Sequence, residues 1–70
     1  MNDYYVYLTI GHKSFTKGKT AIVKVSEDHE FIDMYKALAT TKVCEQLNLK
    51  EDEVLIFDFK FLGDDVLLIN

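Results

Sequence analysis

Alternation of apolar and polar positions dominates both ends of this chain and gives way to helical spacing in the middle. Tyr4 to Ile10 (YYVYLTI) puts Tyr4, Val6, Leu8 and Ile10 on one side and Tyr5, Tyr7 and Thr9 on the other, the period-two pattern of a β-branched and aromatic strand. Thr20 to Val25 (TAIVKV) repeats it, with Ala21, Val23 and Val25 inward and Ile22 and Lys24 outward. Between them Gly11 to Lys19 (GHKSFTKGK) reads either as an open loop or as a Gly11-His12 turn with Lys13 to Lys17 paired and Gly18 at a bulge. At the far end, Val54 to Ile69 (VLIFDFKFLGDDVLLI) reads as two strands around a Gly63-Asp64 turn. Strict alternation predicts Leu55, Phe57, Phe59 and Phe61 in the core, and Val54, Ile56, Asp58, Lys60 and Leu62 on the opposite face. The last run, Asp65 to Ile69, is apolar on both sides and needs cover on two faces.

In the middle, Ser26 can cap a helix whose first turn holds Glu27 and Asp28. Phe31, Met34, Tyr35 and Leu38 recur at helical spacing as its buried stripe. Carried on regularly, that stripe would centre on Lys42, whereas the apolar set resumes at Ala39, Val43 and Leu47. Either the helix curves and Lys42 snorkels, or it breaks at Thr40-Thr41 and restarts. Asn48 suits the helix end, and Leu49 can fold back onto the core.

These elements predict a single small α+β domain over residues 1–70, ββαββ, with a four-stranded, mainly antiparallel sheet and one helix, intact or broken, on one face. Seventy residues bury too little surface for more than marginal stability, and chains of this size recruit disulfides, metals or partner subunits. Cys44 is the only cysteine, so no internal disulfide can form. His12, His29 and Cys44 have no metal-ligand spacing, and no cofactor motif is present. A second subunit remains. The outer sheet face, with Tyr5, Tyr7, Ile22, Ile56 and Leu62, exceeds what a monomer ordinarily exposes, so a homodimer interface is expected to include Tyr5, Tyr7, Ile56 and Leu68.

No apolar run is long enough to span a membrane and no basic leader precedes one, so the expectation is a cytoplasmic protein. All eight basic residues are Lys, and Pro and Trp are absent, a bias that fits AT-rich coding in a low-GC bacterium or its phages and mobile elements. Charge divides along the chain. Through Val25, four lysines face Asp3 alone, about +3; from Ser26 onward, eleven acids face four lysines, about −7.

Catalysis has little support, because His12 and Ser14 share a loop without a third group in sight; a non-enzymatic protein is expected. Two binding readings follow. In the first, Glu27, Asp28, Glu30 and Asp33, with Glu51, Asp52 and Glu53, form an acidic face for a basic partner protein such as a nucleic-acid-binding one, whose surface the chain would occlude. In that respect the chain resembles the small acidic DNA-mimic inhibitors made by phages, which implies an inhibitor or modulator. In the alternative, Tyr5 and Tyr7 with Lys13, Lys17, Lys19 and Lys24 form a platform for single-stranded nucleic acid.

Overall fold

The computed structural model describes residues 2–64. Three strands, β1 (Tyr4–Gly11), β2 (Lys19–Val25) and β3 (Leu55–Gly63), form one sheet in the order β2-β1-β3. A helix, α1 (Ile32–Leu47), and a 3-10 turn at Glu51–Glu53 connect β2 to β3. Both flanking strands are antiparallel to β1, so β2 and β3 run parallel to each other across it. A tight hairpin cannot join strands that point the same way, and the helical crossover does so instead. The result is an α+β domain with one helix packed on an antiparallel sheet. The fourth strand expected at Asp65 to Ile69 lies outside the described residues, and so does Leu68. Among the described residues no helix is long and apolar enough to cross a membrane.

The core follows the alternation of β1 and β2. Val6, Leu8 and Ile10 from β1 and Val23 and Val25 from β2 are buried against Tyr35, Ala39 and Val43 of α1. Tyr35 joins the layers: its ring lies edge-on to Tyr4 at 5.1 Å and against Phe61 at 4.9 Å, so one helical side chain touches both β1 and β3. Its hydroxyl accepts the His29 N–H at 2.7 Å and donates to the His29 carbonyl at 3.3 Å, as a buried tyrosine's polar end requires.

The helix differs from expectation at its start. It begins at Ile32, with Phe31 as its uncapped N-cap, while Ser26 donates instead to Asp3 Oδ1 at 2.7 Å. Phe31 and Met34 are therefore exposed rather than buried, and the inward stripe is Tyr35, Ala39 and Val43, four residues apart. Thr40 and Thr41 do not break it. The Thr40 hydroxyl donates back to the Lys36 carbonyl at 2.8 Å, a local outlet that helices tolerate, and Thr41 Oγ1 lies 3.1 Å from the Ala37 carbonyl. Lys42 snorkels, its Nζ donating to the Lys24 carbonyl at 2.9 Å. Asn48 closes the helix in the left-handed region at φ 58, with Leu49 N–H on Cys44 O and Asn48 N–H on Glu45 O, the paired bonds of a Schellman end.

The connection between β1 and β2 is an open loop, since Ile10 pairs with Lys19, and a Phe15 N–H to His12 O bond turns its start.

Strand β3 corrects the alternation. Thr9 faces Asp58 and Ile10 faces Ile56, so Phe57 is an extra residue in a β-bulge. Beyond it the inward set changes parity: Phe59 and Phe61 pack on the core, and so do Ile56 and Val54, whereas Leu55 and Phe57 are about two-thirds exposed at 65% and 61%. Ile56 thus leaves the expected dimer face. A Cβ on Gly11 would collide with the tip of the Phe57 ring, and one on Gly18 would crowd its edge at 3.2 Å. The two glycines form a flat seat for that ring on the outer face. A second shift, between Tyr5 and Val6, makes Leu62 extra; Gly63 follows at φ 69, a conformation glycine adopts without strain.

The bulge orders the cost of two truncations. Phe59→Ala should lower the unfolding free energy by about 2–3 kcal/mol, and Phe57→Ala by less than about 1 kcal/mol. Urea denaturation measures both, and the reverse order would mean that β3 runs without the bulge.

Candidate functional site

Three groupings of side chains outside the core could carry function. The first is a shoulder at the start of α1. Glu27, Asp28, Glu30 and Asp33 are exposed there, and so are Phe31 (66%), Ile32 (52%) and Met34 (44%). The segment before the helix is anchored to what it crosses. Tyr4 donates its hydroxyl to Asp28 Oδ1 at 2.6 Å, Ser26 holds Asp3, and the His29 backbone holds Tyr35. Acceptance of that phenol proton by Asp28 raises the Tyr4 pKa above its ordinary value, Asn2 partly opposing. His29 Nε2 lies 3.4 Å from Glu27 Oε1.

The expected acidic face does not form one patch. Glu51, Asp52 and Glu53 sit beyond the other end of α1, and sixteen helical residues span roughly 24 Å. Those acids also have neighbours of their own. Glu51 Oε1 accepts from Thr41 at 2.9 Å, and Glu53 faces Lys13 Nζ at 3.7 Å and His12 Nε2 at 3.8 Å.

The second grouping is that junction between the basic loop and the 3-10 turn. His12 Nδ1 accepts the Ser14 N–H at 3.1 Å and lies 2.7 Å from Ser14 Oγ. An Nδ1 that accepts places the neutral ring's proton on Nε2, toward Glu53. Glu53, forty-one positions away from His12 in sequence, comes near the ring without hydrogen-bonding to it, and Nε2 has no hydrogen-bond partner among the described residues. The imidazole closes a local turn, its side chain only 6% exposed. Lys19 is occupied nearby, its Nζ 4.6 Å above the Phe15 ring, and Lys17 lines a shallow recess with Ser14 and Thr16.

The third grouping is the sheet face turned away from α1. Cross-strand rows set Tyr5 beside Lys24, and Tyr7 between Ile22 and Lys60. Both tyrosines are half-buried, and Thr9 donates to the Tyr7 hydroxyl at 3.2 Å, which lays that ring along the strand. Tyr7, Ile22, Leu62, Asp58 and Lys60 line one recess. Lys13, Lys17 and Lys19 lie at or beyond the loop end of this sheet, apart from the Tyr5–Lys24 row.

Sequence reasoning missed Phe31, Ile32, Met34, Leu55 and Phe57 as surface residues. A signal for the helix was available: Ile32 and Met34 stand two positions apart, nearly opposite on a helix, so one stripe could not bury both with Tyr35. No local signal marks the bulge that turns Phe57 outward. No family model, curated protein or solved structure matches the chain.

Cys44 is buried in α1, and burial, with Glu51 adding to it, pushes its thiol pKa up. Because the folded thiol holds its proton more tightly than the unfolded one, stability falls as pH rises from the unfolded thiol's value toward the folded one. Cys44 should react with a disulfide reagent at pH 8 at least about a hundredfold more slowly in folded protein than in urea. Equal rates would place the thiol at the surface.

Proposed function

We propose that this chain is a non-enzymatic protein-binding module whose shoulder at the start of α1 engages a basic, amphipathic surface of a partner protein and occludes it. The observation that carries this reading is the coincidence of three exposed apolar side chains, Phe31, Ile32 and Met34, with four carboxylates inside eight residues. Neither half alone specifies a partner. A solvated acidic segment does not need a protruding phenylalanine, and an apolar anchor does not need four acids around it. Together they describe an interface centre that excludes water and a rim that selects positive charge. The bonds from Tyr4 to Asp28 and from the His29 backbone to Tyr35 hold the segment before contact, which reduces the ordering cost of binding. Carboxylates offered to a DNA-binding surface would stand in for phosphates, and the role that fits is inhibition or modulation of such a protein.

The test uses a synthetic amphipathic helical peptide with Lys on one face and Leu on the other, titrated into the 15N-labelled protein. Amide shifts should concentrate at residues 27–34. Phe31→Ser should weaken binding about tenfold, roughly 1.4 kcal/mol. The combined Glu27→Gln, Glu30→Gln and Asp33→Asn variant should weaken it at low salt and flatten its salt dependence. Binding that ignores both variants, or shifts that map to the sheet, would refute the shoulder as the contact.

A further inference from the structure

We infer that the outer face of the sheet is a self-association surface for a second copy of this chain, in which Asp58 of each copy pairs with Lys60 of the other. This surface lies on the side of the sheet opposite α1, away from the shoulder at the helix start.

The face carries more apolar surface than a lone domain needs to show. Ile22 is 53% exposed, Leu55 and Phe57 more so, and Leu62 joins Ile22 and Tyr7 around a recess of about 420 Å³. What selects the occupant is the sign pattern of the charges that line it. Asp58 and Lys60 both line the recess; they are two residues apart on one strand, about 6.8 Å, one negative and one positive.

A polyanion such as single-stranded nucleic acid would meet Asp58 in the middle of its track, and that repulsion counts against it. A partner of one dominant charge sign would satisfy one of the two groups and oppose the other. An isologous contact has the opposite requirement: a patch that meets its own copy must be complementary to itself. A two-fold axis crossing β3 between Asp58 and Lys60 brings each carboxylate to the other copy's ammonium. The Lys60 row, with Tyr7 and Ile22, then lies over the other copy's Asp58 row, with Thr9 and Thr20, and Leu62 lies toward its Phe57 end. Within its own chain Asp58 only accepts the Phe59 N–H at 2.9 Å through Oδ1, and among the described residues no ion pair engages either group.

The size of the face sets the strength. Seven paired rows across three strands project to about 14 Å by 24 Å, below the roughly 800 Å² per partner of a standard interface. Association should therefore depend on concentration across the micromolar range.

Sedimentation equilibrium over a concentration series provides the test, with circular dichroism to verify that each variant folds. Asp58→Lys and Lys60→Asp should each weaken self-association at least tenfold, since each creates two like-charge contacts. An equimolar mixture of the two variants should recover wild-type association, because both cross-copy pairs are then opposite in sign. The double variant Asp58→Lys/Lys60→Asp should recover it alone. A wild-type protein that stays monomeric at millimolar concentration would overturn the inference, and so would a dimer indifferent to both single changes or a mixture that fails to recover. Binding of an oligothymidine by a monomeric wild type, tightened by Asp58→Lys, would overturn it in favour of a nucleic-acid surface.

Discussion

The architecture depends on β1 being bonded along both edges while burying one face. Central placement requires a strand without proline that can fill the core from every second position, and Tyr4 to Gly11 meets that demand with Val6, Leu8 and Ile10. Once β1 is central, β2 and β3 must flank it in parallel, and their connection must cross the sheet. The helix that crosses closes the inner face, and Tyr35 fixes its position by touching Tyr4 and Phe61 together. Lys42 then ties the second half of α1 to β2 through the Lys24 carbonyl. A single helix can cover a single face, so the other side of the same sheet has no intrachain cover from α1.

Most of this plan was legible in the residues themselves. Both strands of the first hairpin, the existence of the helix, the Asn48 terminus and the snorkelling alternative for Lys42 follow from periodicity and local chemistry. What could not be read locally depended on distant neighbours. The bulge at Phe57 is stabilised by a seat made from Gly11 and Gly18, about forty positions earlier, and once it exists every residue before it changes side. A one-residue shift in a period-two pattern therefore moved Ile56 from the expected outer face to the core and Phe57 the other way. The helix start was misplaced for a similar reason. Ser26 had an acceptor at Asp3 that the local pattern could not reveal, and without its cap the helix began five residues later. The candidate surfaces were correspondingly half legible: the acids and the tyrosines could be named, but their division into separate patches, and the apolar residues beside them, could not.

The exposed apolar side chains are energetically significant in a chain of this size. Full burial of a Phe, Leu or Ile contributes about 1.5–3 kcal/mol, and a domain of some seventy residues has only a few kcal/mol of net stability from its core. Phe31, Ile32, Leu55, Phe57 and Ile22 together withhold an amount comparable to that whole margin. They are also not scattered. Two cluster at the helix start with Met34, and three lie on one sheet face, an arrangement that fits surfaces awaiting cover better than incidental exposure.

The two clusters differ in the charges beside them, and that difference separates their partners. Around Phe31 every charged side chain from Glu27 to Asp33, His29 aside, is negative, so the shoulder repels its own copy and attracts a positive surface. Around Tyr7 and Ile22 the lining holds one acid and one base, a pattern without net preference for a charged stranger but matched to itself under two-fold rotation. Because the helix shoulder and the outer face lie on opposite sides of the sheet, pairing two copies through the sheet would leave both shoulders free. Self-association would then present two acidic, phenylalanine-tipped shoulders on one particle, and a partner with two basic sites within reach would gain from their joint engagement.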